Sequence, residues 1–278
     1  MQTIILRKGK LSVIKRIIKV TTTVCFRNPQ TFGEVCQKKL HLQPYSFPTT
    51  NSSSDDKSMF FLETSGRSWL TPREACALES AVTSSHLSVN IIFLTEFVDL
   101  YDNSTCAIFK LLPSVSFFTI KLCDAFVNTP LHRFYQREEF RKSLFKSVHT
   151  SDALRIALIY KVGGFYSDLD TLTLGDLSGL ENVIGATSMR GAEPHLANGA
   201  FHLRRHHPLL WRTMEDIVTR YRGAHRNEIG PLLVTRAVRR HYNISDVSSV
   251  NIKGEGGLQV LPSRAFYPAK SEVTQYYC

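Results

Sequence analysis

The stretch SDALRIALIYKVGGFYSDLD, Ser151 to Asp170, constrains this chain more than any other. Ser151 can cap a helix, and Asp152 then falls in the first turn, where a negative charge suits the helix dipole. Apart from Asp152 and Arg155 the start of that helix is apolar: Ala153, Leu154, Ile156, Ala157, Leu158, Ile159. Gly163 ends it, and Gly164 turns the chain directly into FYSDLDTLTL, a strand running out into a turn. Asp168 and Asp170 stand two apart in this apolar, aromatic segment. On a strand both would point to one face. An unpaired buried carboxylate is very costly, and two on one face repel unless a cation lies beside them. Hard divalent cations, Mn²⁺ or Mg²⁺, accept such ligands together with phosphate oxygens. The tripeptide alone reads better as a solvated turn after a strand. Asp152 and Arg155 share a helix face three residues apart. Alone they read as a surface ion pair; helix, double glycine and D-x-D together make a far more specific signature.

The surrounding chain alternates strands and helices. MFFLETS (Met59 to Ser65) is a buried strand. Thr71, Pro72 and Glu74 supply an N-cap, a first-turn proline and a capping box for a helix running to His86. VNIIFLTEF (Val89 to Phe97) is a second strand and VSFFTIKL (Val115 to Leu122) a third. Strand, helix, strand implies a parallel sheet. VIGATSM (Val183 to Met189) and GAFHL (Gly199 to Leu203) read as strands, and Pro208 to Gly223 and Gly230 to Tyr242 as helices. The fold class is α/β, one domain over residues 59–278. It is preceded by a basic arm and a Ser-rich linker over residues 1–58, where the amphipathic segment Leu11 to Phe26 reads as a poorly ordered arm rather than a surface helix.

Lys and Arg total 34 against 24 for Asp and Glu, a net charge of +10. That balance fits an anionic partner, but much of it lies in the arm, and no nucleic-acid motif is present. Six cysteines lack zinc-finger spacing. With sequons at Asn51, Asn103 and Asn243 they lean towards the secretory pathway. No apolar run is long enough to span a bilayer. RRHHP (Arg204 to Pro208) reads as a solvated turn before a helix, and Trp211 as a core residue.

The Ser151–Asp170 stretch closely resembles the core of the α-1,4-glycosyltransferase family, the galactosyl- and N-acetylglucosaminyltransferases of that linkage. FFLETSGR (Phe60 to Arg67), CALESA (Cys76 to Ala81), NTPL (Asn128 to Leu131), NGAF (Asn198 to Phe201), GPLLVTR (Gly230 to Arg236) and FYP (Phe266 to Pro268) follow in the family's order. The resemblance covers roughly Phe60 to Tyr277. It implies a GT-A fold, a Rossmann-like, mostly parallel sheet flanked by helices with a nucleotide-diphospho-sugar at its carboxyl edge. It also implies a retaining hexosyltransferase of glycosphingolipid synthesis in the Golgi lumen. The donor is a UDP-sugar, UDP-galactose or UDP-N-acetylhexosamine, used with Mn²⁺ or Mg²⁺. The acceptor is a glycolipid or glycan at the Golgi membrane surface, and nucleic acid is not a partner. By position, Asp168 and Asp170 would hold the metal, and Arg155 would stabilise the departing diphosphate. Ser151, Asp152 and Arg155 would line the donor sugar, Glu63 and Thr64 the uridine, and Asn198 and Gly199 the meeting point of sugar and acceptor.

Two departures from the family pattern shape the expectation. The family carries an amino-terminal membrane anchor, and it continues past FYP to a His-x-Trp-Asn type motif; this sequence contains neither. The expectation is a glycosyltransferase domain short of the family's carboxyl-terminal end, with a catalytically inactive relative as the alternative.

Overall fold

The computed structural model describes residues 2–4, 39–48, 57–187, 195–248, 250–254 and 256–267. The expected arm segment Leu11 to Phe26, most of the linker, and Ser188 and Met189 of the expected strand lie outside them. The short strands are β1 (Gln2–Ile4), β2 (Lys39–His41) and β3 (Gln43–Pro44). The first half of the domain continues with β4 (Ser58–Glu63), α1 (Pro72–Ser84), β5 (Ser88–Phe93), β6 (Phe97–Asp99), α2 (Asn103–Leu111) and β7 (Val115–Thr119). Two short helices, α3 (Leu122–Phe126) and α4 (Glu138–Lys142), lead to the long α5 (Lys146–Val162). The second half holds β8 (Phe165–Ser167), β9 (Thr171–Thr173), β10 (Val183–Ala186), β11 (Leu196–His202), α6 (Pro208–Arg220), α7 (Pro231–Tyr242), β12 (Asn251–Ile252), β13 (Leu258–Leu261) and α8 (Ser263–Phe266).

The main sheet has nine strands in the order β12-β13-β10-β11-β8-β4-β5-β7-β3. Its centre is parallel: β8 to β4, β4 to β5, and β5 to β7. β11 runs antiparallel to both β8 and β10. The expected α/β architecture with a mostly parallel sheet is therefore present, and it takes in Gln43–Pro44 ahead of the linker.

β4 shows how the sheet is covered. Phe60 and Leu62 join one apolar cluster with α5, α6 and α7, while Met59 and Phe61 join another with α1. Period-two alternation sends successive residues to opposite faces, so a strand clothed on both sides reads as a continuous apolar run. α1 starts as its sequence dictates: Glu74 N donates to Thr71 Oγ1, and Thr71 N donates to Glu74 Oε2 at 2.7 Å.

α5 departs from expectation. It begins at Lys146 with Phe145 at the N-cap, which makes no side-chain capping bond. Ser151 therefore sits inside the helix rather than at its cap, and Asp152 lies in its second turn. The helix ends at Gly163, whose φ of 77° favours glycine. A second departure concerns the carboxylates. β8 stops at Ser167, so Asp168 and Asp170 occupy a turn rather than a strand face. Thr171 closes that turn, its hydroxyl donating to Asp168 O at 2.7 Å. A third is RRHHP. His207 is fully buried; its Nδ1 accepts from Leu209 N at 3.2 Å to cap α6, and Nε2 lies 3.0 Å from Gly257 O. Among the described residues, no helix is long and apolar enough to cross a membrane.

Candidate active site

The carboxyl ends of β4 and β8, the near end of β11, the middle of α5 and the start of α7 border one cleft of about 890 Å³. Glu63, Thr64, Ser151, Asp152, Arg155, Asp168, Asp170, Asn198 and Gly199 all line it. The residues singled out in the sequence thus converge in space, although they come from four separate segments.

Arg155 is the centre of the arrangement. Its side chain is almost fully buried, and a buried charge is tolerated only with partners. Nη1 lies 2.9 Å from Asp168 Oδ1 and donates to Asn198 O at 2.9 Å. Nη2 donates to Ser151 Oγ at 2.8 Å and lies 3.4 Å from Asp152 Oδ1, and Nε donates to Ser151 O. The guanidinium also stacks over the Tyr166 ring, 4.6 Å from its centroid. Burial opposes its charge, yet Asp168, Tyr166 and Asp152 around it hold its pKa above the ordinary arginine value. The helical spacing of Asp152 and Arg155 is therefore a buried ion pair, not a surface one.

Asp168 is held from one side only. Oδ1 meets Arg155 and accepts a 2.7 Å hydrogen bond from the Tyr166 hydroxyl. Oδ2 faces the backbone of Gly199, where a Cβ would fall 2.6 Å from it. Gly199 is thus the residue that admits the carboxylate, and Asp168 N donates to Gly199 O at 2.7 Å. Burial pushes the Asp168 pKa up to about 6, against the pull of Arg155. Asp170 is exposed at the cleft. Asp152 accepts from Asn198 Nδ2 at 2.8 Å, which orients the amide at the cleft floor.

A second network fixes the opposite wall. Glu63 Oε1 accepts from Ser65 Oγ and Ser65 N, and Arg67 Nη2 reaches it at 3.2 Å. Arg67 also pairs with Glu74 at 2.6 Å. Glu63 is buried, and its other oxygen, Oε2, has no hydrogen-bond partner. Tyr267 carries a second orphan: its hydroxyl lines the cleft, is buried and has no partner. Burial, reinforced by Asp168, pushes its pKa up. A buried polar atom without a partner costs free energy unless a ligand satisfies it.

Several of these groups escaped the sequence reading. Tyr166 is the residue before Ser167 in the recognised stretch, yet nothing in its spacing shows that its hydroxyl returns to Asp168. Tyr267 lies a hundred residues away in sequence, and Arg226 enters the cleft from the α6–α7 loop. Only the FYP resemblance pointed towards Tyr267. Among the described cysteines, Cys76 and Cys106 are disulfide-bonded and Cys123 is free.

The residue types suit one kind of cation. Asp168 Oδ2 and Asp170 offer hard oxygen ligands, and no group of three or more His, Cys, Asp or Glu assembles among the described residues. Such a pair fits a divalent ion that takes its remaining ligands from phosphate and water. The orphaned Glu63 oxygen on one wall, and the Tyr267 hydroxyl with the Gly199 opening on the other, fit a polar ligand spanning the cleft.

Comparison with known proteins agrees with this geometry. Residues 71–190 match a family described as a glycosyltransferase sugar-binding region containing a DXD motif. Residues 202–278 match the alpha 1,4-glycosyltransferase conserved region. The lactosylceramide 4-alpha-galactosyltransferase of Rattus norvegicus is 29% identical over 84% of this chain and 65% of its own length. That of Pongo pygmaeus is 34% identical over 56% of this chain and 69% of its own length. The chain thus spans about two thirds of the length of these curated relatives. A solved structure named PaToxG glycosyltransferase superposes with a TM-score of 0.51 over 84% of this chain and 78% of its own, at 15% identity, a likeness of fold alone.

Proposed function

Because this chain belongs to the α-1,4-glycosyltransferase family, we propose that its cleft transfers galactose or an N-acetylhexosamine from a UDP-sugar to a glycolipid or glycan acceptor, with retention of the α configuration. The observation that carries this reading is the convergence of Asp168 and Asp170 with Asp152, Arg155 and Gly199 at the carboxyl edge of an open α/β sheet, where such sheets bind ligands.

The residues take the following parts. Asp168 and Asp170 would hold Mn²⁺ or Mg²⁺, which would supply Lewis-acid stabilisation to the diphosphate. Glu63, through Oε2, and Thr64 receive the uridine end. Ser151 holds the Arg155 guanidinium in place. Asp152 and Asn198, fixed by their mutual hydrogen bond, meet the hydroxyls of the donor sugar, and Gly199 keeps space where sugar and acceptor meet. As the bond from the anomeric carbon to the phosphate oxygen breaks, negative charge grows on UDP. Arg155, oriented in advance by five partners, faces that charge without reorganising. The Tyr267 hydroxyl is poised to donate to an oxygen of the same group.

Retention calls for a carboxylate nucleophile or for attack from the face the leaving group departs. Asp152 is engaged by Arg155 and Asn198, and Glu63 and Glu74 by Arg67. Those engagements support front-face attack. The acceptor oxygen bonds to the anomeric carbon, and its proton passes to the departing phosphate oxygen. The disulfide bonds at Cys76 and Cys106 support an oxidising compartment, and with it the Golgi lumen and a membrane-surface acceptor.

The test is transfer. The chain is incubated with Mn²⁺, UDP-galactose or UDP-N-acetylhexosamines, and a panel of soluble glycan acceptors, and products are analysed for linkage. An α-1,4-linked product that vanishes with Asp168→Asn supports the reading. UDP release without an acceptor-dependent product contradicts it.

A further inference from the structure

Two of the sequons lie among the described residues, and they are folded differently. Asn103-Ser104-Thr105 opens α2, and Thr105 is fully buried. Its Oγ1 accepts from Leu70 N at 2.7 Å, and its hydroxyl donates to Asp102 Oδ1 at 3.1 Å. Asn243-Ile244-Ser245 instead follows the last turn of α7.

Asn243 caps α7 with φ 51° and ψ 50°, in the left-handed region. Among residues with a Cβ, Asn enters that region most readily, and helices often end this way. The turn folds the chain back on the helix. Ile244 N donates to Arg239 O at 3.0 Å, and the Ile244 side chain packs against the main apolar cluster. Val247 is buried in its turn. With Ile244 and Val247 drawn inward, Asn243 and Ser245 are left exposed. Neither of these two side chains hydrogen-bonds a described residue. The neighbouring carboxylate does not claim them either, since Asp246 accepts from Ser248 N and Ser248 Oγ. The fold therefore asks of position 243 only its backbone turn, which glycine would serve as well. The amide is spare.

We propose that Asn243 carries an N-linked glycan. The sequon pattern is the acceptor for that modification, and the disulfide bonds at Cys76 and Cys106 fit the compartment in which it occurs. Asn243 Nδ2 bonds to the anomeric carbon of an oligosaccharide carried on a lipid diphosphate. The carbon–oxygen bond to the diphosphate breaks, the amide loses one proton, and the lipid diphosphate leaves with the bonding electrons. The position also spares the cleft. Gly230 and Pro231, where α7 begins, line the cleft, and Asn243 stands at the other end of the helix. Its 12 residues, rising about 1.5 Å each, span about 18 Å. The proposal rests on the lumenal reading given above, and the experiment separates the two.

The native protein is isolated from vesicles of cells that make it, after added protease has removed everything outside them. Its peptides are mapped after glycan release by an amidase that leaves an aspartate where a glycosylated asparagine stood. Conversion at Asn243 in most protected molecules is the expected result. The full chain behind a cleavable secretion signal serves for variants, and conversion is lost in Asn243→Gly and in Ser245→Ala. Asn243→Gly keeps the left-handed turn, and Ser245→Ala keeps the asparagine itself, so neither loss is a loss of fold. Protected protein unmodified at Asn243 overturns the proposal and leaves the lumenal reading standing. Native protein found only outside the vesicles overturns both. Conversion that persists in Ser245→Ala, or that needs no amidase, is deamidation of a free side chain and overturns the proposal as well.

Discussion

Arg155 Nη1 lies 2.9 Å from Asp168 Oδ1, and this contact couples the stability of the fold to the chemistry of the cleft. The guanidinium is buried and tied to Asp152, Ser151 and Asn198 as well. Arg155→Met leaves Asp152 and Asp168 without their shared cation. Breaking a buried pair by removing one partner costs about 3 kcal/mol or more. Thermal unfolding of this variant begins several degrees lower. Arg155→Lys restores the charge but not the fork, and recovers only part of the loss. A melting temperature unchanged in Arg155→Met contradicts the arrangement.

Gly199→Ala separates site geometry from folding. The new Cβ falls 2.6 Å from Asp168 Oδ2, and Oδ1 is anchored, so the carboxylate must rotate or retreat. Groups that orient metal ligands are worth roughly 10- to 100-fold in affinity. Manganese-dependent UDP binding weakens by about that factor in a titration, while circular dichroism retains the folded spectrum.

Tyr267→Phe tests the orphaned hydroxyl. Removing a buried hydroxyl that has no partner leaves stability unchanged or raises it. If that hydroxyl faces charge developing on the leaving group, its loss lowers the transfer rate by on the order of 100-fold. A variant as active as the original chain removes Tyr267 from the mechanism.

What the sequence disclosed was local. The capping box of α1 lies within four residues, and the buried runs of β4, β5 and β7 are dense in aromatic and β-branched side chains, so all were legible. The start of α5 was not. Its N-cap is Phe145, which makes no capping bond, and Ser151 looked like the cap in its place. The aspartates looked like strand residues because the apolar run continues through them; the turn depends on the Thr171 hydroxyl, which no periodicity reports. Carboxylates, arginine and glycine of the site were legible as a motif. The Glu63–Arg67–Glu74 network and the Tyr267 hydroxyl are tertiary, set by how β4, α1 and α8 pack.

His207 gives the acid limb of stability. Burial pushes its pKa down to about 4, below the ordinary value of about 6.5. The unfolded chain then binds a proton that the folded chain refuses between those values, so this group's contribution is present above pH 6.5 and is lost as pH falls towards 4. Protonation would also place an N–H at Nδ1, against the Leu209 amide it caps. His207→Asn keeps a capping side chain without a titrating ring. Denaturant titrations from pH 7 to pH 4 show a shallower fall in stability for the variant; an identical slope contradicts the assignment.

The central claim is that Asp168 and Asp170 hold a divalent ion on the diphosphate of a UDP-sugar. Calorimetric titration of UDP into the chain, with and without Mn²⁺, alongside Asp170→Asn, tests it most directly. The account predicts binding that requires manganese and is lost in the variant, whose fold is unchanged because Asp170 is exposed. UDP binding that is indifferent to manganese, or equal in Asp170→Asn, would contradict it.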